Sequence, residues 1–457
     1  MADFDVVVIG GGPAGYSAAL KASELGASVA LVEAEKPGGS CVHHACIPTN
    51  LLLDPAARYV EAKELGLMGV FSVGDQFNFA RAAARKDALV RQMADGIRTA
   101  LRMGKVQLIE GRAAFESPHS IAILGASGST TVTAESFVIA TGSRWEPPTI
   151  PGVPPERVVT ADVIQSLSAT PKSAVVLVDG PGEVPFGLEY AALLAIAGSA
   201  VSVVTALPRL LPGLDGTIVS AARAGLNDLG ITVFEGARIV GAEGDAVKVH
   251  HGDRTTVAPA ELVVAVDVRK PFFENLGLES AGVVRDGRIT VDRRCETNVP
   301  CIFAAGDVTG GAMLSCVASH MGEVAAVNAT GGTAATRLSA IPRLLHTIPS
   351  IAWVGVTEEA AKAAGHDTAT GVIDLSFNAR AVTLGARTGL VKVVAERNLG
   401  EILGVHVVGP EAAEIVAVAA SLMQAEVSVH DLASMVAWHP SIGEALNDAA
   451  KRAITAL

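Results

Sequence analysis

The chain has 457 residues, 50% hydrophobic and 18% charged, which excludes wholesale disorder and implies about three domains at roughly 150 residues each. Its formal net charge is −12 with no dense basic run, so a nucleic-acid partner or an anionic membrane surface is disfavoured. Five cysteines in such a chain argue against a structural disulfide framework and for a redox or metal role of any close pair.

The N-terminus carries no basic n-region or cleavage site, so no signal peptide is expected and the chain reads as cytoplasmic. Val6-Val7-Val8-Ile9 has the continuous apolar pattern of a buried parallel strand. Gly10-Gly11-Gly12-Pro13-Ala14-Gly15 follows, then a helix over 16–25 with Ala18, Ala19 and Ala22 small enough to pack on a sheet. A second strand over 28–32 ends at Glu33. In a dinucleotide-binding unit each part has a task. Gly10 makes the tight turn, Gly12 lets the backbone approach a pyrophosphate, and Gly15 lets helix meet strand. The helix N-terminus favours phosphates, and Glu33 accepts from ribose hydroxyls.

Residues 38–50 carry Cys41 and Cys46, with His43-His44-Ala45 in the interval and Pro48 just beyond. A cysteine pair so close behind a dinucleotide turn suggests a dithiol exchanging electrons with a cofactor; the alternative is two small buried side chains. Residues five apart sit about 140° apart on an ideal helix, so a working pair needs a bent segment.

Residues 84–101 have helical spacing, and 106–115 and 120–132 alternate like antiparallel strands. Residues 136–143 read as a strand ending in a tight turn, and the Pro-rich stretch 146–155 as a domain boundary. Residues 174–178 repeat the opening pattern, followed by Gly180-Pro181-Gly182, so the dinucleotide unit is duplicated. The copy is damaged: Pro185 stands at the third glycine, with Gly187 two residues late. The next strand, 201–204, ends in Thr205 where a ribose-binding acid is expected, and Arg209 is a candidate for a 2′-phosphate. Residues 190–207 lack charge and formally resemble a membrane span, but read as a helix, a break at Gly198-Ser199, and a strand.

Residues 289–299 lead into a strand and an exposed turn bearing Asp307, whose carboxylate suits polyol or ribityl hydroxyls; a plain turn residue is the alternative. Beyond 341 come strands at 351–355, 390–394 and 402–408, then helices at 412–424 and 429–437. In Trp438-His439-Pro440-Ser441-Ile442-Gly443-Glu444 the acid lies within loop reach of the imidazole, as a general base requires.

These motifs, in this order, resemble the pyridine nucleotide-disulfide oxidoreductases over nearly the whole chain. The resemblance rests on 10–15, 39–48, 140–143, 297–307, 353–355, 402–410 and 439–444, and dihydrolipoamide dehydrogenases are the nearest in feel. It implies an α/β fold: two Rossmann-like, three-layer dinucleotide-binding domains plus a C-terminal α+β dimerisation domain. The boundaries expected are 1–150 and 271–340 for the flavin unit, 151–270 for the NAD(P)-like unit and 341–457 for dimerisation. FAD would lie against Gly10, Gly12, Pro13, Ala14, Gly15, Glu33, Gly39, Ser40, Asn50, Ala113, Ala140, Thr141, Gly142, Gly306, Asp307, Met313, Leu314 and Ser315. Cys46 would be the thiol nearest the flavin and Cys41 the one that attacks substrate. His439, held by Glu444, would reach in from the partner subunit of a homodimer. The resemblance implies a small disulfide or dithiol substrate, and no nucleic-acid or membrane partner.

Several residues depart from the pattern. Asn50 replaces a lysine that in the family pairs with the acid at Glu189. His43-His44 beside two cysteines invites a soft metal, though tuning of the thiols is the commoner role, and no metal is expected. Asp267-Val268-Arg269-Lys270-Pro271 replaces Thr-Gly-Arg-Arg-Pro. With Pro185 and Thr205, this last change makes three departures in the nicotinamide unit, whose candidate residues are Gly180, Gly182, Glu189 and Thr205. Flavin binding is thus expected, with NAD(P) recognition weakened, altered or lost. Two further readings are a flavoenzyme that works without nicotinamide and a non-catalytic flavin-bound subunit.

Overall fold

The computed structural model describes residues 2–67, 77–179, 184–386 and 388–456. Strands β1 (Phe4–Ile9), β2 (Val29–Glu33), β3 (Gln107–Glu110), β4 (Arg112–Ser117), β5 (Ser120–Gly125) and β6 (Gly128–Ile139) join one sheet in the order β3-β2-β1-β6-β5-β4. The strand Ile302–Ala304 adds to β6. Central β1 is flanked in parallel by β2, with Val6 opposite Val29, and by β6, with Val8 opposite Val138. Burial on both faces explains its unbroken apolar run. Of the alternating stretches, 112–132 forms the antiparallel arm β4-β5-β6, whereas β3, expected antiparallel, pairs in parallel with β2 at the sheet edge.

Helix α1 (Pro13–Glu24) begins with proline, whose missing N–H costs nothing in a first turn, and buries Ala14, Ala18, Ala19 and Ala22. The helix Ser315–Ala329 packs on it so closely that a Cβ on Gly322 would lie 2.1 Å from the Ala14 carbonyl oxygen. This backbone approach fixes where Ser315, the first residue of that helix, ends up. Helices α2 (Gly39–His43), α3 (Cys46–Leu67) and α4 (Phe79–Met103) follow β2 in the chain.

The duplicated unit is a parallel five-stranded sheet in the order Thr232–Phe234, Ala200–Val204, Ser173–Leu177, Leu262–Val264, Val158–Val159. Its first helix spans Gly187–Ile196, so Gly187 does take the third-glycine place, two residues late. The uncharged stretch resolves into that helix and the strand Ala200–Val204. Among the described residues, no helix is long and apolar enough to cross a membrane. The C-terminal unit is an antiparallel sheet in the order Arg343–Leu345, Ile351–Gly355, Ile402–Val408, Leu390–Glu396, Thr368–Asp374. Helices Ala412–Gln424 and Glu444–Thr455 pack on it. The helix expected at 429–437 is shorter, Val429–Ser434, because Met435 turns extended.

Replacing Gly322 with Ala should push Ser315–Ala329 off α1. Thermal unfolding should show a loss of about 1–3 kcal/mol, typical of overpacking, with weaker FAD retention than wild type.

Candidate active site

A cavity of ≈ 1110 Å³ runs along the carboxyl ends of the flavin-unit strands. That is above the roughly 300–1,000 Å³ of most small-ligand pockets, as an extended dinucleotide needs. Every flavin residue expected from the sequence lines it except Gly15. Gly15 acts one layer back: a Cβ there would sit 1.7 Å from the Gly10 oxygen. Gly39, at φ +56°, faces Gly12 across the cavity mouth, where a Cβ would stand 2.7 Å from the Gly12 Cα. The Glu33 carboxylate ends β2 inside the cavity, accepting from the Gly11 and Glu35 N–H groups at 2.6 and 2.7 Å. A glycine cradle, a helix N-terminus without acidic residues and a ribose-reach carboxylate fit FAD.

The required bend is present. α2 stops at His43, His44 takes φ −136°, and α3 starts at Cys46. The His44 and Ala45 N–H groups both donate to the Ser40 carbonyl at 2.8 Å, closing the turn. Both thiols are free, line the cavity and hydrogen-bond to each other. The Cys41 thiol, donating to Cys46, holds Cys46 well below the usual thiol range despite burial; the Ser315 hydroxyl at 3.2 Å and the charge of Arg269 assist. The same hydrogen bond, with burial, pushes Cys41 up. One thiolate is therefore favoured, on Cys46.

Asp307 is not on an exposed turn. It lies in the short helical turn Gly306–Thr309, its side chain 13% exposed, paired with Arg269 at 2.9 Å and accepting from the Ser143 hydroxyl at 2.7 Å. Arg269 gets there because Arg269–Pro271 pairs with Ser143–Trp145, which also stacks its guanidinium over Trp145. His44 meets Trp145 edge-on, and burial pushes it below the usual imidazole value; His43 bonds the Pro37 carbonyl at 3.0 Å. Among the described residues, no group of three His, Cys, Asp or Glu side chains is placed to hold a metal. Sequence reasoning gave Arg269 no role and gave Ser315 only a cofactor role. The one available signal for Arg269 was a cation inside the departing motif.

Glu189 lines this same cavity. It is buried, accepts from the His346 N–H at 2.8 Å, and among the described residues forms no ion pair. Asn50 lines the same wall and brings no charge. Burial accordingly pushes Glu189 up to about 8.

Of the nicotinamide candidates, Gly180 and Gly182 lie outside the described residues. Thr205 donates to Asp179 at 2.9 Å. Arg209 donates to the carbonyls of Pro212 and Leu214 at 3.1 and 2.9 Å, with its side chain 39% exposed. His439 and Glu444 meet each other at 2.9 Å, with the imidazole 72% exposed and outside the cavity of their own chain.

The family model described as pyridine nucleotide-disulphide oxidoreductase matches residues 4–322, and its dimerisation domain matches 341–450. A dihydrolipoyl dehydrogenase of Thermus scotoductus is 35% identical, over 99% of this chain and 97% of its own. One from Bacillus subtilis is 33% identical, over 97% of each. Among solved structures, LpdA from Mycobacterium tuberculosis superposes with TM-score 0.87 at 29% identity, covering 98% of this chain and 99% of its own. A Cu(II) complex of the HOCl-induced flavoprotein disulfide reductase RclA from Escherichia coli gives 0.86 at 26%, covering 99% of each chain.

Ser315→Ala should raise the Cys46 pKa by about 1–2 units, the worth of a hydrogen bond to a charged group, read from the pH dependence of thiol alkylation. Glu189 is raised from 4.5 to about 8, so it contributes stability that is full below 4.5 and lost as pH rises through about 8. Glu189→Gln should flatten the fall in melting temperature across that window relative to wild type.

Proposed function

We propose, for a chain that belongs to the pyridine nucleotide-disulphide oxidoreductase family, that Cys41 and Cys46 are its exchanging dithiol and that each active site is completed by a second copy. The chain is an FAD-dependent disulfide oxidoreductase, and its C-terminal unit matches a dimerisation domain. The observation that carries the reading is that Cys41 and Cys46, with the Ser315 hydroxyl 3.2 Å from the Cys46 sulfur, line the same cavity as the glycine cradle. The substrate class follows the relatives' names: a small dithiol of the dihydrolipoyl kind, or its disulfide.

The chemistry uses this chain's own groups. In the oxidised enzyme Cys41 and Cys46 are joined. A substrate thiol gives its proton to His439 of the partner subunit and attacks the Cys41 sulfur. The Cys41–Cys46 bond breaks and Cys46 leaves as a thiolate. The second substrate thiol then attacks the substrate sulfur of the mixed disulfide, and its proton passes to Cys41. Substrate departs as a disulfide, leaving the electron pair on a protonated Cys41 and an ionised Cys46, the state that the hydrogen bonding favours. FAD, when bound, supplies the two-electron acceptor for that dithiol. Arg269 and Ser315 hold the thiolate on Cys46; Glu444 orients the imidazole.

A lone chain leaves His439 in water beside Trp438, 80% exposed, and Val436, 100% exposed, with Phe377 a further apolar side chain at 89%. A second copy laid on this face would cover them and bring the imidazole to the other chain's thiols. A flavin-bound subunit without turnover is not favoured, since the relatives are enzymes by name.

Subunit mixing tests the shared site. Cys41→Ser and His439→Ala dimers should each be inactive in dihydrolipoamide oxidation. Mixed at random, they should recover about a quarter of wild-type activity, because half the dimers then carry one intact site of two. No recovery from a verified heterodimer would place both groups in one chain's site.

A further inference from the structure

We propose that Glu189 takes up a proton when the Cys41–Cys46 disulfide is reduced, so that the charge formed on Cys46 is offset inside the cavity instead of by solvent. The inference rests on the reading of Cys41 and Cys46 as the exchanging dithiol, and it gives that dithiol a proton-holding partner.

Glu189 is brought to the dithiol by the way two helices lie together. The helix Gly187–Ile196 packs on α3, where Leu193 is buried in one cluster with Leu52, Leu53 and Ala56. One turn earlier the Tyr190 hydroxyl meets the Thr49 hydroxyl at 2.8 Å. The Gln165 amide donates to both, at 2.9 Å to Thr49 and 3.0 Å to Tyr190, and all three side chains are buried. Glu189 precedes Leu193 by four residues and so shares its helix face, toward the first turn of α3 that carries Cys46 and Asn50. Cys46, Asn50, Glu189 and His346 line the cavity together.

No cation answers this carboxyl among the described residues; its hydrogen bond there comes from the His346 N–H at 2.8 Å. Arg269, which favours the Cys46 thiolate, is paired with Asp307, and Arg343 donates to the Ile341 carbonyl. A buried carboxyl without a cation responds strongly to a new negative charge beside it. Both thiols are free here, and burial first, then Cys46 and Asp267, push Glu189 up to about 8 against the pull of the His346 hydrogen bond. The other groups facing it do not follow the dithiol in this way. Burial and Asp179 raise Asp267, burial alone lowers the His346 imidazole, and burial keeps Tyr190 protonated.

In the disulfide, Cys46 carries no charge, so that part of the push is absent and Glu189 ionises at lower pH. When a dithiol reduces the enzyme, its two sulfurs join and the Cys41–Cys46 bond breaks. One of its two protons goes to Cys41; the other is set free as Cys46 becomes a thiolate. Glu189 takes that second proton at pH values between its oxidised-state and reduced-state pKa. Below that range the carboxyl is protonated in both states, and above it is ionised in both.

The test counts protons. The FAD-loaded enzyme is reduced anaerobically with one equivalent of dithiothreitol in weak buffer containing a pH indicator. At about pH 7.5, Glu189→Gln should release about half a proton more per dithiol formed than wild type, the yield of a shift of about one unit centred there. The excess should fade toward about pH 6, where the wild-type carboxyl is protonated in both states. Asn50→Lys brings a cation to the same wall and should give a similar excess by keeping Glu189 ionised throughout; it decides the matter if the glutamine variant fails to fold. A purely structural Glu189 would leave the proton count unchanged. Alkylated Cys41 and Cys46 are counted by mass on the same samples. Two alkylated cysteines with equal proton release in wild type and folded variant would overturn this proposal alone. No alkylated cysteines would overturn the dithiol reading, and this proposal with it.

Discussion

Two thiols five residues apart can hydrogen-bond only if the helix that carries them breaks between them, and the rest of the site depends on that break. The turn closed on the Ser40 carbonyl separates α2 from α3 and brings Cys41 onto Cys46. Once they touch, one proton serves both sulfurs. Cys41 keeps it and Cys46 gains thiolate character. The helix Ser315–Ala329 completes the arrangement, held against α1 by a contact that only glycine at 322 permits, so that its first hydroxyl reaches the Cys46 sulfur. Backbone packing thus becomes thiol acidity.

Charge is distributed unequally between the two halves of the molecule. Around the dithiol the ionised groups agree: Arg269 favours the thiolate and is itself held by Asp307, and Glu189 is kept neutral near pH 7 by burial without a cation. A neutral Glu189 spares Cys46 a like charge nearby. In the second unit Asp267 accepts from the Gly187 N–H and Asp179 from the Thr205 hydroxyl. Lys392 ties Asp215 of the second unit to Glu358 of the C-terminal unit at 2.6 and 2.7 Å.

Much of this was legible in the sequence because it depends on local rules. The strand, glycine turn, alanine-faced helix and Glu33 read directly, as did the need for a bend between the cysteines. So did the helix–break–strand reading of the uncharged stretch. What escaped came from distant segments meeting. Ser315 touches a sulfur 269 positions away, and Arg269 reaches Asp307 only because its segment pairs with Ser143–Trp145. That pairing is also why Asp307 is enclosed rather than exposed. Asp267 registered as a departure, but no periodicity could show that it caps the helix at Gly187. Arg209 looked available by charge, and its guanidinium folds back on its own loop.

The central claim is that Cys46 is a thiolate lying against the flavin. Anaerobic addition of one equivalent of dithiothreitol to the FAD-loaded enzyme, followed by visible spectroscopy, tests it most directly. The account predicts a long-wavelength thiolate–flavin band with the flavin still oxidised, absent in Cys46→Ser. Direct bleaching of the flavin without that band, or a band that survives Cys46→Ser, would contradict it.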